Sequence, residues 1–382
     1  MHRILLLFAM LLVSASPSAG AAQAGIPRGA AAAVNSLFAA HARPDVPGYV
    51  LGVVRDGKLV FSRAYGSASL EHGVPLTTRS VFHLASLSKQ FTGATVALLV
   101  LEGKLSLEDP VQKYVPAAAK YGSELRVKNL VYMTSGIHEY TDVPRLAGLP
   151  WQSFHYFTTD EAIAAALRPD TLQFAPGTRW RYTNSNYMLL ARVVEAASGT
   201  PLHAFMEKRI FAPLGMSDSH LNDDATLVVP RRVSSYTARS DQISREAATL
   251  GIQVRGGAGW IHAARNSPHY GGSGVFSSLE DLVRWDGNFY SQRVGGPGFT
   301  ELMHRRMRFA HAKDNDVFGL VRVEVFGREA WEYSGGDLDA STYMVRLPAE
   351  RLTVICLSTM SSGNAEGMGR KVLGILHSAG VI

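Results

Sequence analysis

The stretch that decides the fold reads Phe82-His-Leu-Ala-Ser-Leu-Ser-Lys89 and continues as an apolar pattern to Gly103. Apolar residues recur there at helical spacing, so a helix is expected to begin near Ser86 and to end at Gly103. Positions i and i+3 share a face, which points the Lys89 amine at the Ser86 hydroxyl. A desolvated lysine amine can take the proton of a serine, and the helix N-terminus offers N–H groups to an oxyanion. The pattern predicts a nucleophilic Ser86, with an exposed and inert serine and lysine as the alternative.

Two further motifs carry groups that such a serine needs. In Tyr182-Thr-Asn184, expected on a loop, the phenol can pass a proton to a leaving group and the amide can hold a substrate carbonyl. Tyr333, Ser334, Gly335 and Gly336 close a predicted strand, where small residues let a substrate approach the strand edge. A buried tyrosine beside a turn and a plain strand-end turn are the inert alternatives.

In this order, the three motifs resemble the serine β-lactamase and penicillin-binding-protein superfamily. The resemblance is closest to its class C-like branch, which holds class C β-lactamases, D-alanyl-D-alanine carboxypeptidases and related esterases, and it runs over about residues 30–380. Other matching segments are Met133-Thr-Ser-Gly-Ile137, Pro176-Gly177, Phe211-Ala-Pro-Leu-Gly-Met216, and Gly272-Ser-Gly-Val-Phe-Ser-Ser278 before Asp281-Leu282.

The resemblance implies a role for each motif residue. Ser86 would be acylated, Lys89 would be its hydrogen-bonded base or proton relay, and Tyr182 would be the second proton carrier. Asn184 would contact a substrate amide, and the backbone N–H groups of Ser86 and Gly336 would form an oxyanion hole. Tyr333, Ser334, Gly335 and Gly336 would line the substrate site. No metal and no other cofactor is implied.

One position departs from the family pattern. The third motif usually begins with lysine or histidine, and Tyr333 stands there in this chain. A phenol brings no positive charge, and charge-assisted bonds to a carboxylate are about twice as strong as neutral ones. Thr183 is also bulkier than the alanine or serine usual in its slot. Both changes favour an esterase or peptidase over an efficient β-lactamase, unless another cation, such as Arg255 or Arg265, holds a carboxylate.

The remaining pattern predicts an α/β fold of the α+β type, with one antiparallel sheet flanked by helices and an inserted helical lobe. Two β-rich runs, Tyr49–Val54 and Leu59–Tyr65, surround Asp56-Gly57 and predict a hairpin. We expect a single domain over 25–382, its sheet lobe at about 25–85 and 305–382 and its helical lobe at about 86–304. The other expected helices are 27–42, 125–134, 188–197 and 365–378, and the other strands are 318–325, 330–334, 343–347 and 352–357.

The N-terminus and the composition indicate an exported protein. Residues 1–24 have a short basic start, an apolar run from Ile4 to Val13 and small residues, the order of a signal peptide cleaved after Ala21, Ala22 or Ala24. No other segment is long and apolar enough to span a membrane. The single cysteine, Cys356, should be a small buried hydrophobe in a strand. The net charge of +6 is scattered, which excludes a nucleic-acid footprint.

Other hydrolytic chemistries fit the sequence less well. It contains no G-x-S-x-G and no H-E-x-x-H motif, and His262 and His269 stand apart in what is expected to be a loop. We therefore expect a metal-free serine hydrolase of the esterase or D-amino-acid peptidase type, acting on a small-molecule or peptide ester or amide and periplasmic or secreted. A β-lactamase is the alternative enzyme, and a catalytically silent protein that binds penicillin or cell wall is the alternative from another class. The oligomeric state is left open.

Overall fold

The computed structural model describes residues 25–142, 157–240, 248, 253, 259–263, 269–309, 316–337 and 339–382. The expected signal segment 1–24, Arg255 and Arg265 lie outside the described residues. No helix in the described ranges has the length and hydrophobicity needed to cross a membrane.

Fourteen strands are found in the described ranges, and seven of them form one antiparallel sheet in the order β10-β11-β12-β13-β14-β1-β2. The strands are β1 (Tyr49–Arg55), β2 (Lys58–Tyr65), β3 (Ser67–Ser69), β4 (Val74–Pro75), β5 (Phe82–His83), β6 (His220–Leu221), β7 (Tyr236–Ala238), β8 (Trp260–His262), β9 (Val275–Ser277), β10 (Asp316–Val317), β11 (Leu320–Val325), β12 (Arg328–Asp337), β13 (Ala340–Leu347) and β14 (Leu352–Ser358). Because β1 pairs with β14, the sheet joins the two ends of the chain, as the sequence predicts.

The helices lie mainly in the middle of the chain. They are α1 (Arg28–Leu37), α2 (Lys89–Leu101), α3 (Val127–Val131), α4 (Thr159–Ala166), α5 (Asn184–Ser198), α6 (Leu202–Met206), α7 (Ala212–Leu214), α8 (Leu279–Ser291), α9 (Phe299–Met303) and α10 (Ala365–Ser378). The described residues thus have the mixed helical and antiparallel architecture that the motifs imply.

The sheet separates two apolar cores, because successive residues of a strand point to opposite faces. On β14, Ile355 and Leu357 face the core that contains α2, whereas Val354 and Cys356 face the core under α1 and α10. Cys356 is fully buried, as predicted, and burial raises the pKa of its thiol.

Helix α2 is buried over most of its length, including Lys89. A Cβ at Gly93 would overlap the carbonyl of Phe318, so the helix packs directly on the backbone that leads into β11. Upstream, β5 pairs with β9, which in turn pairs with β6. This small sheet anchors the chain immediately before α2.

Several predicted boundaries need correction. The first helix ends at Leu37, and the helix expected over 125–134 covers only Val127–Val131 because Met133 has a left-handed φ of 56°. The strand expected to end at Ser334 continues to Asp337 through both glycines. His262 was expected in a loop, but β8 pairs with β7 and places it in a strand. The Asp56-Gly57 hairpin is confirmed, with φ values of 51° and 73° as a type I′ turn requires.

Candidate active site

The entrance to α2 holds Ser86 on a tight turn. Residues Ala85–Ser88 form a short 3₁₀ turn between β5 and the helix. Ala85 has a φ of 48°, a left-handed conformation that costs a non-glycine residue roughly 1–3 kcal/mol. The turn places Lys89 Nζ 3.1 Å from Ser86 Oγ. The predicted i, i+3 contact is therefore present, with the lysine side chain out of contact with solvent.

The second motif closes around the same two side chains. Tyr182 Oη lies 2.7 Å from Ser86 Oγ and 2.6 Å from Lys89 Nζ. Asn184 Oδ1 accepts from Lys89 at 2.8 Å and from Tyr182 at 3.1 Å. The triplet is only partly a loop, since Thr183 caps α5 and Asn184 is its first residue. The Thr183 hydroxyl makes this cap by accepting from the N–H of Ser185, which an alanine in the slot could not do.

The backbone carbonyl of Gly272 supplies a fourth oxygen, 2.6 Å from Lys89 Nζ. Neighbouring contacts hold this segment on α2: Thr92 Oγ1 donates to Gly271 O at 2.8 Å, and Val275 N donates to Ser88 Oγ at 3.0 Å. Residues 272–278 are part of the sequence resemblance, but no motif in them indicates that a backbone carbonyl accepts from a lysine.

The four oxygens constrain where protons reside. An ammonium has three hydrogens and no acceptor, whereas a neutral amine has two hydrogens and one lone pair. With four oxygens within 3.1 Å of Lys89 Nζ, a hydroxyl of Ser86 or Tyr182 can instead donate to the neutral amine. The arrangement can therefore move one proton among serine, lysine and tyrosine without large movements.

Strand β12 passes beside the same turn. It pairs with β11 only as far as Glu332, and beyond that point it lies against the chain before Ser86. A Cβ at Gly335 would overlap Leu84 O and lie 3.0 Å from Ser86 N, whereas one at Gly336 would meet nothing within 4 Å. Side chains alternate accordingly: Tyr333 is 6% exposed and packs into the core, while Ser334 is exposed.

Glu139 is a site residue that the sequence reasoning missed. Its carboxylate accepts from the backbone N–H of Asn184 at 2.6 Å and lies 3.5 Å from the Asn184 amide nitrogen. Burial raises the pKa of Glu139, and the nearby Lys89 charge acts in the opposite direction. In the sequence, Glu139 is notable only because it follows the motif at 133–137 by two residues. That position does not indicate that Glu139 contacts Asn184.

One group of side chains in the described ranges has the geometry to be tested as a metal site. Ligand atoms of His83, Asp337 and Asp339 lie within 4.8 Å of one another. However, His83 Nδ1 and Asp339 Oδ1 are already hydrogen-bonded at 2.7 Å, closer than two ligands of one ion usually approach. The group is outside the cluster around Lys89 and supplies no argument for a metal-dependent reaction.

Comparison with known proteins places this geometry in context. A family model described as Beta-lactamase matches residues 34–377. The chain is 27% identical to a D-aminopeptidase of Gluconobacter oxydans over 331 residues, 85% of this chain and 58% of that protein. It is 29% identical to Penicillin-binding protein 4* of Bacillus subtilis over 308 residues, 79% of this chain and 66% of that protein. The chain thus spans less than two thirds of these relatives.

A solved structure extends the likeness to the whole fold. The D-amino acid amidase of Ochrobactrum anthropi SV3, complexed with L-phenylalanine amide, superposes with a TM-score of 0.75 at 20% identity, covering 92% of this chain and 99% of the amidase. At this identity the match shows that the two proteins share a fold.

Proposed function

This chain belongs to the beta-lactamase family, and from that premise we propose that it hydrolyses an ester or amide through an acyl-Ser86 intermediate. The observation that carries the proposal is the hydrogen-bonded cluster of Ser86, Lys89, Tyr182 and Asn184. A nucleophile, two proton-carrying groups and an amide meet there within 3.1 Å. Tyr182 is 36% exposed, so a substrate can reach the cluster from solvent.

In the proposed reaction, Ser86 Oγ attacks the substrate carbonyl carbon while its proton passes to Lys89 or Tyr182. The N–H groups of Ser86 and Gly336 hold the oxyanion. The tetrahedral intermediate then expels the alcohol or amine, which takes a proton from Tyr182. Water attacks the acyl-enzyme by the reverse proton path, releasing the acid and restoring Ser86. Tyr333, Ser334, Gly335 and Gly336 form the strand beside which the substrate lies.

The charges around the proposed site favour a substrate that is neutral or carries an amine. Tyr333 provides no cation, and the Glu139 carboxyl lies beside Asn184. An α-amino group next to the scissile amide would find a partner there when Glu139 is ionised. The names of the relatives, D-aminopeptidase and D-amino acid amidase, support amides of D-amino acids as the first substrates to try. A β-lactamase remains the alternative activity.

The test is mass spectrometry of the protein after exposure to short-chain esters, D-amino acid amides, D-Ala-D-Ala peptides and penicillins. We expect an acyl adduct on Ser86, and Ser86→Ala should lose on the order of 10³-fold or more in kcat. Lys89→Ala and Tyr182→Phe should each slow acylation by roughly 10²–10⁴-fold.

Ser378→Ala, an exposed change at the end of α10, is the matched control and should behave as wild type. Turnover by a clean Ser86→Ala preparation would refute the nucleophile. Failure of every probe to acylate folded wild-type protein would instead favour the silent binding protein.

We also propose export with removal of residues 1–24, which leaves a single catalytic domain over 25–382. Expression of the full chain in a bacterium, followed by fractionation, should yield a periplasmic or secreted form. Its intact mass should correspond to cleavage after Ala21, Ala22 or Ala24. A full-length mass in the cytosol would contradict export.

A further inference from the structure

A second polar chain lies beneath the proposed site, centred on His83. The imidazole is 2% exposed and has a partner on each nitrogen. Nδ1 lies 2.7 Å from Asp339 Oδ1, and Nε2 lies 2.9 Å from Ser273 Oγ. Asp339 and Ser273 are also buried, at 4% and 8% exposed. Burying three polar groups is costly unless each is hydrogen-bonded, so the arrangement calls for an explanation.

The backbone fixes the tautomer of this histidine. Gly274 N–H donates to His83 Nε2 at 3.4 Å, and an N–H can only donate. Nε2 is therefore the acceptor, which the Ser273 hydroxyl also bonds, and Nδ1 carries the hydrogen that it donates to Asp339. The order Asp339, His83, Ser273 thus forms a directed chain of hydrogen bonds.

This chain connects three segments that build the proposed site. His83 precedes Ser86 by three residues on β5. Ser273 follows Gly272, whose carbonyl accepts from Lys89. Asp339 lies in the turn between β12 and β13, three residues after Gly336. A shift of His83 would therefore displace both the Gly272 carbonyl that bonds Lys89 and the strand that holds the proposed oxyanion-hole amide.

We propose that His83, held by Asp339 and bonded to Ser273, is a positioning residue for the Ser86 reaction. It fixes the Gly272 carbonyl against Lys89 and the β12–β13 turn against the nucleophile, so that the reacting groups are aligned before substrate binds. The proposal rests on the acyl-Ser86 mechanism. Small misplacements of catalytic groups are expensive, since a displacement of about 1 Å can cost on the order of 10²-fold in rate.

The same three residue types form the triad of many serine hydrolases, which raises a rival assignment. Ser273 could be a second nucleophile. Its 8% exposure argues against this, because a nucleophile must reach a substrate carbonyl. His83 also stacks on Phe276, with ring centroids 5.0 Å apart, so it is packed as a fixed support.

The experiment measures kcat and KM for a short-chain ester in His83→Phe, His83→Asn, Ser273→Ala and Asp339→Asn. We expect His83→Phe to lower kcat by about 10- to 100-fold with KM changed less than about 2-fold. Asn can place an amide N–H where Nδ1 stood, so His83→Asn should regain part of that loss. Ser273→Ala removes the hydroxyl at Nε2 and Asp339→Asn replaces the carboxylate at Nδ1, so each should lower kcat in the same direction.

His220 provides the matched control. It stacks on the same Phe276 ring, with centroids 5.2 Å apart, and its Nε2 has no hydrogen-bond partner among the described residues. His220→Asn should therefore leave kcat unchanged. A packing role alone would make the two histidines equivalent. The positioning role would be overturned if His83→Asn and His220→Asn changed kcat equally. It would also be overturned if folded Ser273→Ala and Asp339→Asn kept the wild-type kcat.

Two further measurements separate this proposal from its rivals. Fluorophosphonate labelling of Ser273 in the Ser86→Ala variant would show a second nucleophile and overturn the positioning role. EDTA is expected to leave the activity unchanged. If stoichiometric Zn²⁺ raised the activity of wild type but not of the His83 variants, the positioning role would be overturned in favour of a metal site. Absence of any Ser86 acylation in wild type would instead refute the proposed function, independently of these variants.

Discussion

Two ionisable side chains, Glu139 and Lys89, meet at Asn184 in the candidate site. Asn184 Oδ1 accepts from Lys89 at 2.8 Å, and its backbone N–H donates to Glu139 at 2.6 Å. The side-chain amide is oriented by Lys89 at its oxygen and by Glu139 Oε1, 3.5 Å from its nitrogen, while the backbone bond ties Glu139 to the start of α5. Burial raises the pKa of Glu139 while the Lys89 charge acts to lower it. Lys89, the cation of this pair, is already bonded to four oxygens, and Glu139 has the wrong sign of charge to hold a carboxylate.

Tyr333 therefore leads to a prediction about which substrates the enzyme prefers. Uncharged short-chain esters should exceed penicillins in kcat/KM, because a buried phenol offers a carboxylate no positive charge. Tyr333→Lys should shift the ratio towards carboxylate substrates by about 1–2 kcal/mol, since a bond to a charged group contributes roughly 1.5–3 kcal/mol and a neutral one already supplies part of that. The ratio of substrates is measured within each variant, which cancels general damage to the enzyme.

Thermal unfolding is the control for this substitution, because an ammonium at a position only 6% exposed is costly without an anion. If wild type prefers penicillins, or if the ratio stays constant in a folded Tyr333→Lys, then Tyr333 does not set the charge preference. Another cation, such as Arg255 or Arg265, would then have to hold the carboxylate.

At the scale of the element, strand β12 depends on having no side chain where it crosses the Ser86 turn. Gly335→Ala would overlap Leu84 O and crowd Ser86 N at 3.0 Å. The strand or the turn must then move, so we expect kcat for a small ester to fall by about 10-fold or more. Gly336→Ala keeps its backbone N–H and meets nothing within 4 Å, so it should stay within a few-fold of wild type.

The two alanine variants introduce the same methyl group one residue apart, so propensity effects largely cancel in the comparison. Steady-state kinetics with one ester, after circular dichroism has shown both proteins to be folded, is sufficient. Equal losses in the two variants would show that β12 tolerates no alanine anywhere in this stretch, and that the contact with the Ser86 turn is not the cause.

The elements that the sequence predicts well are those whose signal is local. The Ser86–Lys89 contact follows from helical spacing, and the Asp56-Gly57 hairpin follows from turn chemistry. Glu139 and the Gly272 carbonyl were not predicted, because each meets its partner only after distant segments pack. The continuation of β12 through Gly335 also overrides local preference, since pairing with β13 outweighs the weak strand propensity of glycine.

At the scale of the whole molecule, the sheet is completed only when the chain's two ends meet. β1 pairs with β14 along seven residues, from Tyr49 opposite Ser358 to Arg55 opposite Leu352. The strand patterns at both ends made this arrangement predictable. The three-stranded sheet β5-β9-β6 was not, because strands of two or three residues carry too short a pattern. That small sheet nevertheless anchors the residues just before Ser86.

His304 packs between helix α8 and strand β12 and carries a prediction about acid stability. Its ring stacks on Trp331 of β12 at 4.1 Å and on Phe289 of α8 at 5.5 Å. Its buried Nε2 has no hydrogen-bond partner in the described part of the chain. Burial lowers the pKa of His304 to about 3, helped by the charge of Arg346.

Because the folded pKa lies below the ordinary value of about 6.5, the unfolded chain binds a proton that the fold excludes. The contribution to stability is complete above pH 6.5 and is lost as the pH falls towards 3, by an amount on the order of 5 kcal/mol at most. His304→Phe keeps the stack and cannot be protonated, so its acid-unfolding midpoint should move to lower pH.

Burial also lowers the pKa of His220, to about 4, so part of the acid sensitivity should remain. Tryptophan fluorescence across a pH titration measures this, with the exposed His72→Gln as the control. An unchanged midpoint in His304→Phe would mean that acid unfolding begins at other groups.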